Sequence, residues 1–202
     1  MSRLVLIDRD GTINVERHYL SSPEQLELFP QSAAGIELLH DLGLRVVIVT
    51  NQSAIGRGFF DLNRLDEIHN RLLEILKTAG TTVDAIYFCP HLPENECQCR
   101  KPLTKMARDA AAQFGVELSR SFVIGDNACD IELGINIKAI TILVRTGYGR
   151  RTEHEKKVTP DYIVENLFEA ACLIKKIVEN DAIIKYDLFD DKDIQNNLKK
   201  QY

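Results

Sequence analysis

Nowhere does this 202-residue chain carry an apolar run of the ~20 residues that a bilayer span needs. Its start, Met1-Ser2-Arg3, leads straight into an apolar segment. It lacks the charged region, apolar stretch and small-residue cleavage site of a secretion signal, so a cytoplasmic protein is expected. Positive charge is also in short supply. There are 25 Lys and Arg against 30 Asp and Glu, a net charge of −5, which argues against broad attraction to nucleic acid or an anionic membrane. Cysteines number five, Cys89, Cys97, Cys99, Cys129 and Cys172, and an odd count argues against a disulfide framework. Neither an internal repeat nor a low-complexity tract is present. At this length, with 45% hydrophobic residues, the chain can bury a real core as one domain with at most a small insertion.

What is present is a series of short, mostly β-branched or aromatic runs: Leu4–Ile7, Arg45–Val49, Ala85–Phe88, Ser121–Ile124 and Ile140–Val144. Such runs suit strands buried on both faces. Helical spacing occupies the intervals Ser32–Leu42 (with Gly43 as a stop), Asp61–Lys77, Thr104–Phe114 and Leu167–Val178. Strands alternating with helices imply an α/β protein, a three-layer, Rossmann-like parallel sheet. Ligands bind outside the carboxyl ends of such strands, and Asp8, Thr50, Cys89 and Asp126 all fall there. One domain is expected over residues 1–180, followed by a tail or helix over 181–202.

The first run ends in "LIDRDGT", two aspartates with one residue between them. Asp-Gly alone can be an ordinary turn. Two carboxylates closing a buried strand suit nucleophilic attack on a phosphate ester by one and proton transfer by the other. Gly11 permits a sharp turn, and Thr12 is placed to orient a carboxylate.

The motif resembles the haloacid dehalogenase superfamily of phosphatases. That resemblance implies Asp8 as nucleophile and Asp10 as general acid/base, and it predicts three further motifs. "VVIVTNQ" supplies Thr50 to bind a phosphoryl oxygen, and "CRKPL" supplies Lys101 to neutralise the phosphoryl group. "FVIGDNACDI" supplies Asp126, which would complete an all-oxygen Mg²⁺ site with Asp8 and the backbone carbonyl of Asp10. Asp130 is placed to hold an Mg²⁺ water or to orient Lys101. No large cap domain is expected.

Between these motifs lies "CPHLPENECQCRKP". Residues two apart in extended chain point the same way, so Cys89/His91 and Cys97/Cys99 form two pincers. Three thiolates and an imidazole make a closed tetrahedral zinc site with no open position, hence a structural metal in the loop 89–99. Zinc there would pin the segment that delivers Arg100 and Lys101. Cys129 and Cys172 read as core packing. His40, His69 and His154 read as surface or satisfied residues.

Within the superfamily, this loop resembles two sister families, the D-glycero-D-manno-heptose 1,7-bisphosphate phosphatases and the histidinol-phosphatases. "TNQSAIGRGFF" and "VRTGYG" resemble the first, although Ala54 and Asn127 depart from its usual Gly and Lys. The short zinc loop is nearer the second. The heptose family implies substrate contacts at Glu16, Arg17, His18, Tyr19, Asn51, Gln52, Ser53, Arg100 and Asn127. It also implies removal of the 7-phosphate of heptose 1,7-bisphosphate, in heptose supply for the lipopolysaccharide core. The expected partner is a small sugar bisphosphate, with no nucleic acid or membrane, and the protein is expected to be a monomer. Histidinol-phosphate hydrolysis stays open as the alternative. A receiver-type signalling module would need its phosphoacceptor on the third strand, and a zinc-stabilised nucleic-acid module conflicts with the acidic charge.

Overall fold

Six parallel strands form one sheet in the order β3-β2-β1-β4-β5-β6. The computed structural model describes residues 3–181, so most of the expected tail, 182–202, lies outside the described residues. The strands are β1 (Leu4–Ile7), β2 (Arg45–Asn51), β3 (Ala85–Cys89), β4 (Phe122–Gly125), β5 (Ile140–Val144) and β6 (Tyr162–Val164). The helices are α1 (Ser32–Asp41), α2 (Ser53–Gly56), α3 (Leu62–Thr78), α4 (Lys105–Phe114), α5 (Ala128–Ile137) and α6 (Gly149–Glu155), with residues 167–181 also helical.

The period of two along each strand sorts side chains into two cores. Val5, Ile7, Val46, Ile48 and Ile124 pack with Ile36 and Leu39 of α1, with Ile68, Leu72 and Leu76 of α3, and with Leu167 and Ile174. Leu4, Leu6, Val47, Val49 and Val123 pack on the other face with Met106, Ala107 and Ala110 of α4 and Leu133 of α5. Both faces of β1 are therefore covered, which is why its four residues are apolar without alternation.

Local chemistry sets the element ends. Asp61 caps α3, its carboxylate accepting the Arg64 N–H at 2.9 Å, so the helix begins one residue later than its periodic pattern. The chain leaves α1 through Gly43 at φ 72°, a conformation glycine reaches without steric cost. β2 and β3 run on beyond their apolar stretches and pair Thr50 with Phe88 and Asn51 with Cys89. Thr50 and Cys89 are thus strand residues rather than the first loop residues. β6, α2 and α6 are short elements without a periodic signal in the sequence.

The geometry that matters for the site is the position of β1. It is flanked by β2 on one side and β4 on the other, with Ile7 opposite both Ile48 and Ile124. Connections run outward in opposite directions from this point, so a crevice opens at the carboxyl ends of β1 and β4. Among the described residues no second folded unit stands over that edge. The segment from Asp8 to Ser32 contains one short 3-10 turn, Pro23–Gln25.

Candidate active site

Lys101 sits at the centre of the crevice, 3% exposed. Its ammonium donates to Asp8 Oδ1, Asp130 Oδ1 and the Val49 carbonyl, each at 2.7 Å. These three acceptors match its three donors. Burial alone would push the lysine pKa down, but the charges of Asp130 and Asp8 outweigh it and the pKa is raised. The Asn51 side chain fixes the Lys101 backbone, accepting its N–H at 3.0 Å and donating to its carbonyl at 3.2 Å. The Lys101–Pro102 peptide bond is cis.

Asp8, Asp126 and Asp130 each place an oxygen within 4.8 Å of the others. Three carboxylates face one ammonium, an excess of negative charge. Burial raises the Asp8 pKa to about 7, with Asp130 and Asp10 adding repulsion and Lys101 opposing. Asp126 is raised well above its usual range by burial, then by Asp8 and Asp130. Two glycine backbones press on Asp126. A Cβ on Gly11 would lie 2.2 Å from Asp126 Oδ2, and one on Gly147 would lie 2.1 Å away, so neither position admits a side chain. The Tyr148 N–H donates to the same oxygen at 2.7 Å. A crowded set of hard carboxylate oxygens with surplus negative charge fits a divalent cation such as Mg²⁺.

Asp10 is treated differently. Arg9 Nε and Nη2 donate to its two oxygens at 3.2 and 2.7 Å, and Asn14 and Gln52 add a bond each at 2.9 Å. Burial works to raise its pKa, but the charge of Arg9 and the bonds from Arg9, Asn14 and Gln52 win and lower it. Thr12 was expected to orient a carboxylate. It is instead fully buried, its hydroxyl without a hydrogen-bond partner, and Arg9, Asn14 and Gln52 do the orienting. Gln52 also donates to Thr50 Oγ1 at 2.9 Å.

A cleft of about 300 Å³ opens above these groups. Glu16, His18, Tyr19, Thr50, Asn51, Gln52, Ser53, Arg100 and Asn127 all line it. Arg17 does not. It turns outward to pair with Glu27 at 2.6 Å. Asn51 and Gln52 commit side-chain hydrogens to Lys101, Asp10 and Thr50, so both support the site from beneath. Sequence reasoning assigned no contact to Tyr148, which lines the cleft and meets His18 Nδ1 at 2.8 Å. Its signal was the quoted "VRTGYG". Cys129 is half-buried and lines the same cleft, so it is not core packing. His69 is buried with an unpartnered Nε2 and so is neither surface nor satisfied. His40 is bonded to Asp84 at 3.1 Å, and His154 is exposed.

Cys89, His91, Cys97 and Cys99 converge beside the cleft, their four donor atoms within 4.8 Å of one another. Cys89 Sγ lies 2.9 Å from Cys99 Sγ and 3.7 Å from Cys97 Sγ, and His91 Nδ1 lies 3.2 Å from Cys99 Sγ. Burial pushes the Cys89 thiol up to about 12, then the bond with Cys99, so a thiolate there calls for a cation. Three sulfurs and one nitrogen around one point fit zinc.

The family model described as HAD-hydrolase-like matches residues 98–170. The D-glycero-beta-D-manno-heptose-1,7-bisphosphate 7-phosphatase of Bordetella bronchiseptica is 38% identical over 151 residues, 74% of this chain and 84% of that protein. Its counterpart from Pseudomonas aeruginosa is 39% identical over 154 residues, covering 75% and 86%. The chain belongs to the heptose-1,7-bisphosphate 7-phosphatase family. A crystal structure of the B. bronchiseptica D,D-heptose 1,7-bisphosphate phosphatase, complexed with magnesium and phosphate, matches with TM-score 0.81 at 35% identity, covering 86% of this chain and 98% of that one. The D,D-heptose 1,7-bisphosphate phosphatase of Burkholderia thailandensis matches with TM-score 0.67 at 30% identity, over 86% and 98%.

Set within the heptose-bisphosphate phosphatase family, the two metal-ligand clusters make separate predictions. Protons and Mg²⁺ compete for Asp8, whose raised folded pKa means the metal-free fold binds a proton more tightly than the unfolded chain. Stability of the metal-free protein from this group falls as pH rises from the ordinary carboxylate range to about 7. The gain in Tm from a fixed millimolar Mg²⁺ concentration should therefore be larger at about pH 8 than at about pH 6. Equal gains by differential scanning fluorimetry would contradict the site. For the second cluster, purified protein should contain one zinc per chain by elemental analysis. Cys97→Ser should lower both zinc content and Tm. A fully active protein free of zinc would overturn that assignment.

Proposed function

We propose that the chain is an Mg²⁺-dependent phosphatase that removes the 7-phosphate of D-glycero-D-manno-heptose 1,7-bisphosphate through an aspartyl-phosphate on Asp8. The observation that carries this reading is the single buried Lys101 ammonium held between Asp8 and Asp130 on the floor of a polar cleft, with Asp10 at its wall. Lys101 fixes one Asp8 oxygen and leaves the other to attack phosphorus.

In the first half-reaction the Asp8 carboxylate forms a bond to phosphorus as the bond to the sugar O7 breaks. Asp10 gives its proton to that oxygen. Both Asp10 oxygens are engaged by donors and its pKa is lowered, so the resting group is a carboxylate that must release a donor and take up a proton before it acts as the acid. In the second half a water attacks phosphorus, Asp10 takes its proton, and Asp8 is regenerated with phosphate leaving. Thr50 and Lys101 receive the phosphoryl oxygens. Mg²⁺ held by Asp8, Asp126 and the Asp10 carbonyl would supply charge neutralisation for the incoming phosphate.

A bisphosphate carries a second phosphate to be recognised at a distance. Arg100 is the best placed group: it lines the cleft, follows the Cys/His cluster directly and is steadied by donating to the His91 carbonyl at 3.3 Å. Its planar fork matches a phosphate. The scheme calls for no group from a second copy, and we read the protein as acting as a monomer. The free thiols favour a reducing, cytoplasmic setting.

Steady-state kinetics on heptose 1,7-bisphosphate, a heptose monophosphate and histidinol phosphate test the reading. The bisphosphate should have the highest kcat/KM. Arg100→Ala should reduce it by about thirty- to a hundredfold, the scale of a charge-assisted hydrogen-bond pair, and spare the monophosphate. Lys101→Ala should impair all substrates alike. A wild-type preference for histidinol phosphate would overturn the substrate assignment.

A further inference from the structure

Arg9 stands between the two aspartates in sequence, yet its side chain is fully buried. Interring a guanidinium carries a desolvation penalty that an apolar pair in place of Arg9 and its carboxylate partner would avoid. The burial therefore calls for a task that needs the charge and the fork. Both Arg9 bonds go to Asp10, one to each oxygen. Asn14 supplies a second donor to Oδ1 and Gln52 a second donor to Oδ2. Four donors around two oxygens fix the carboxyl plane from both sides, and Arg9 is the one charged member.

Arg9 Nη1 and His69 Nε2 are both buried without a hydrogen-bond partner. Burial, and then the neighbouring Arg9 charge, hold His69 down at about 3. The imidazole is therefore neutral and adds no second cation to draw Asp10 away from the fork.

We infer that Arg9 is the positioning residue for the Asp10 carboxyl, its two-pronged fork holding that carboxyl where it faces the leaving sugar oxygen. As the phosphorus–oxygen bond breaks, its electron pair goes to the sugar oxygen and the Asp10 proton follows. Arg9 acts only through the Asp10 carboxyl. The inference rests on Asp10 being the general acid.

Substrates that differ in their need for that proton provide the test. A sugar alkoxide is a poor leaving group and needs the acid, whereas 4-nitrophenolate departs without one. The ratio of kcat/KM for the sugar bisphosphate to kcat/KM for 4-nitrophenyl phosphate reports on steps up to phosphoryl transfer, and any inactive fraction of enzyme cancels. Arg9→Gln should lower this ratio at least about tenfold, a share of the 10²–10⁴ that a general acid contributes. Arg9→Lys, which keeps the charge without the fork, should lower it less. Asp10→Asn should lower it most. If both Arg9 variants lose activity equally on the two substrates, Arg9 is merely structural and the inference fails while Asp10 keeps its role. If Asp10→Asn also leaves the ratio unchanged, the reading of Asp10 as acid fails, and the inference falls with it.

Discussion

A buried ammonium shared by two carboxylates is the interaction on which the rest of the site depends. The Lys101 side chain is 1% exposed, as is that of Asp130, and each of its contacts to Asp8, Asp130 and the Val49 carbonyl is 2.7 Å. Removing one partner of such a pair leaves a stranded charge and costs about 3–5 kcal/mol. Much of the local architecture serves to deliver that one nitrogen. The end of β2 offers the Val49 carbonyl, Asn51 clamps the lysine backbone, and the Cys/His cluster gathers the loop that leads there.

The paired aspartates of the first motif are separated electrostatically. Asp8 faces other carboxylates in a buried crevice, and its pKa rises to about 7. Asp10, two residues on, faces the Arg9 fork and two amides, and its pKa falls. In the metal-free site these directions run against the two roles, so Lys101 and a divalent cation must supply the positive charge that keeps the Asp8 nucleophile ionised. Surplus negative charge around Asp8, Asp126 and Asp130 is the counterpart, favouring a divalent cation that in turn admits an anionic substrate. The glycines at 11 and 147 make this crowding possible, because any side chain at either would overlap Asp126.

The parts of this arrangement legible in the sequence are those written over short stretches of chain. β1 and β5 have the bounds that their apolar runs imply, because both lie inside the sheet with covered faces. The metal-ligand spacing of Cys89, His91, Cys97 and Cys99 is likewise local. What stayed hidden depends on contacts between distant segments. Arg9 looks like a surface charge until Asp10, Asn14 and Gln52 are folded around it. Tyr148 reaches the cleft across 130 residues of chain to meet His18. Cys129 follows the first turn of α5 into the cleft, where its apolar character alone would place it in the core. Arg17 shares a loop with true cleft residues, and only the position of Glu27 turns it outward. Short elements such as α2 and β6 carry too few residues to show a period.

The central claim is that Asp8, oriented by Lys101, attacks phosphorus. Borohydride reduces an aspartyl-phosphate carboxyl to an alcohol and leaves a free carboxylate untouched. Enzyme quenched during turnover of the sugar bisphosphate, reduced and digested should show that alcohol by mass spectrometry at position 8, and nowhere when substrate is withheld. Turnover with no modified peptide at position 8, or with the label at position 10, would contradict the account.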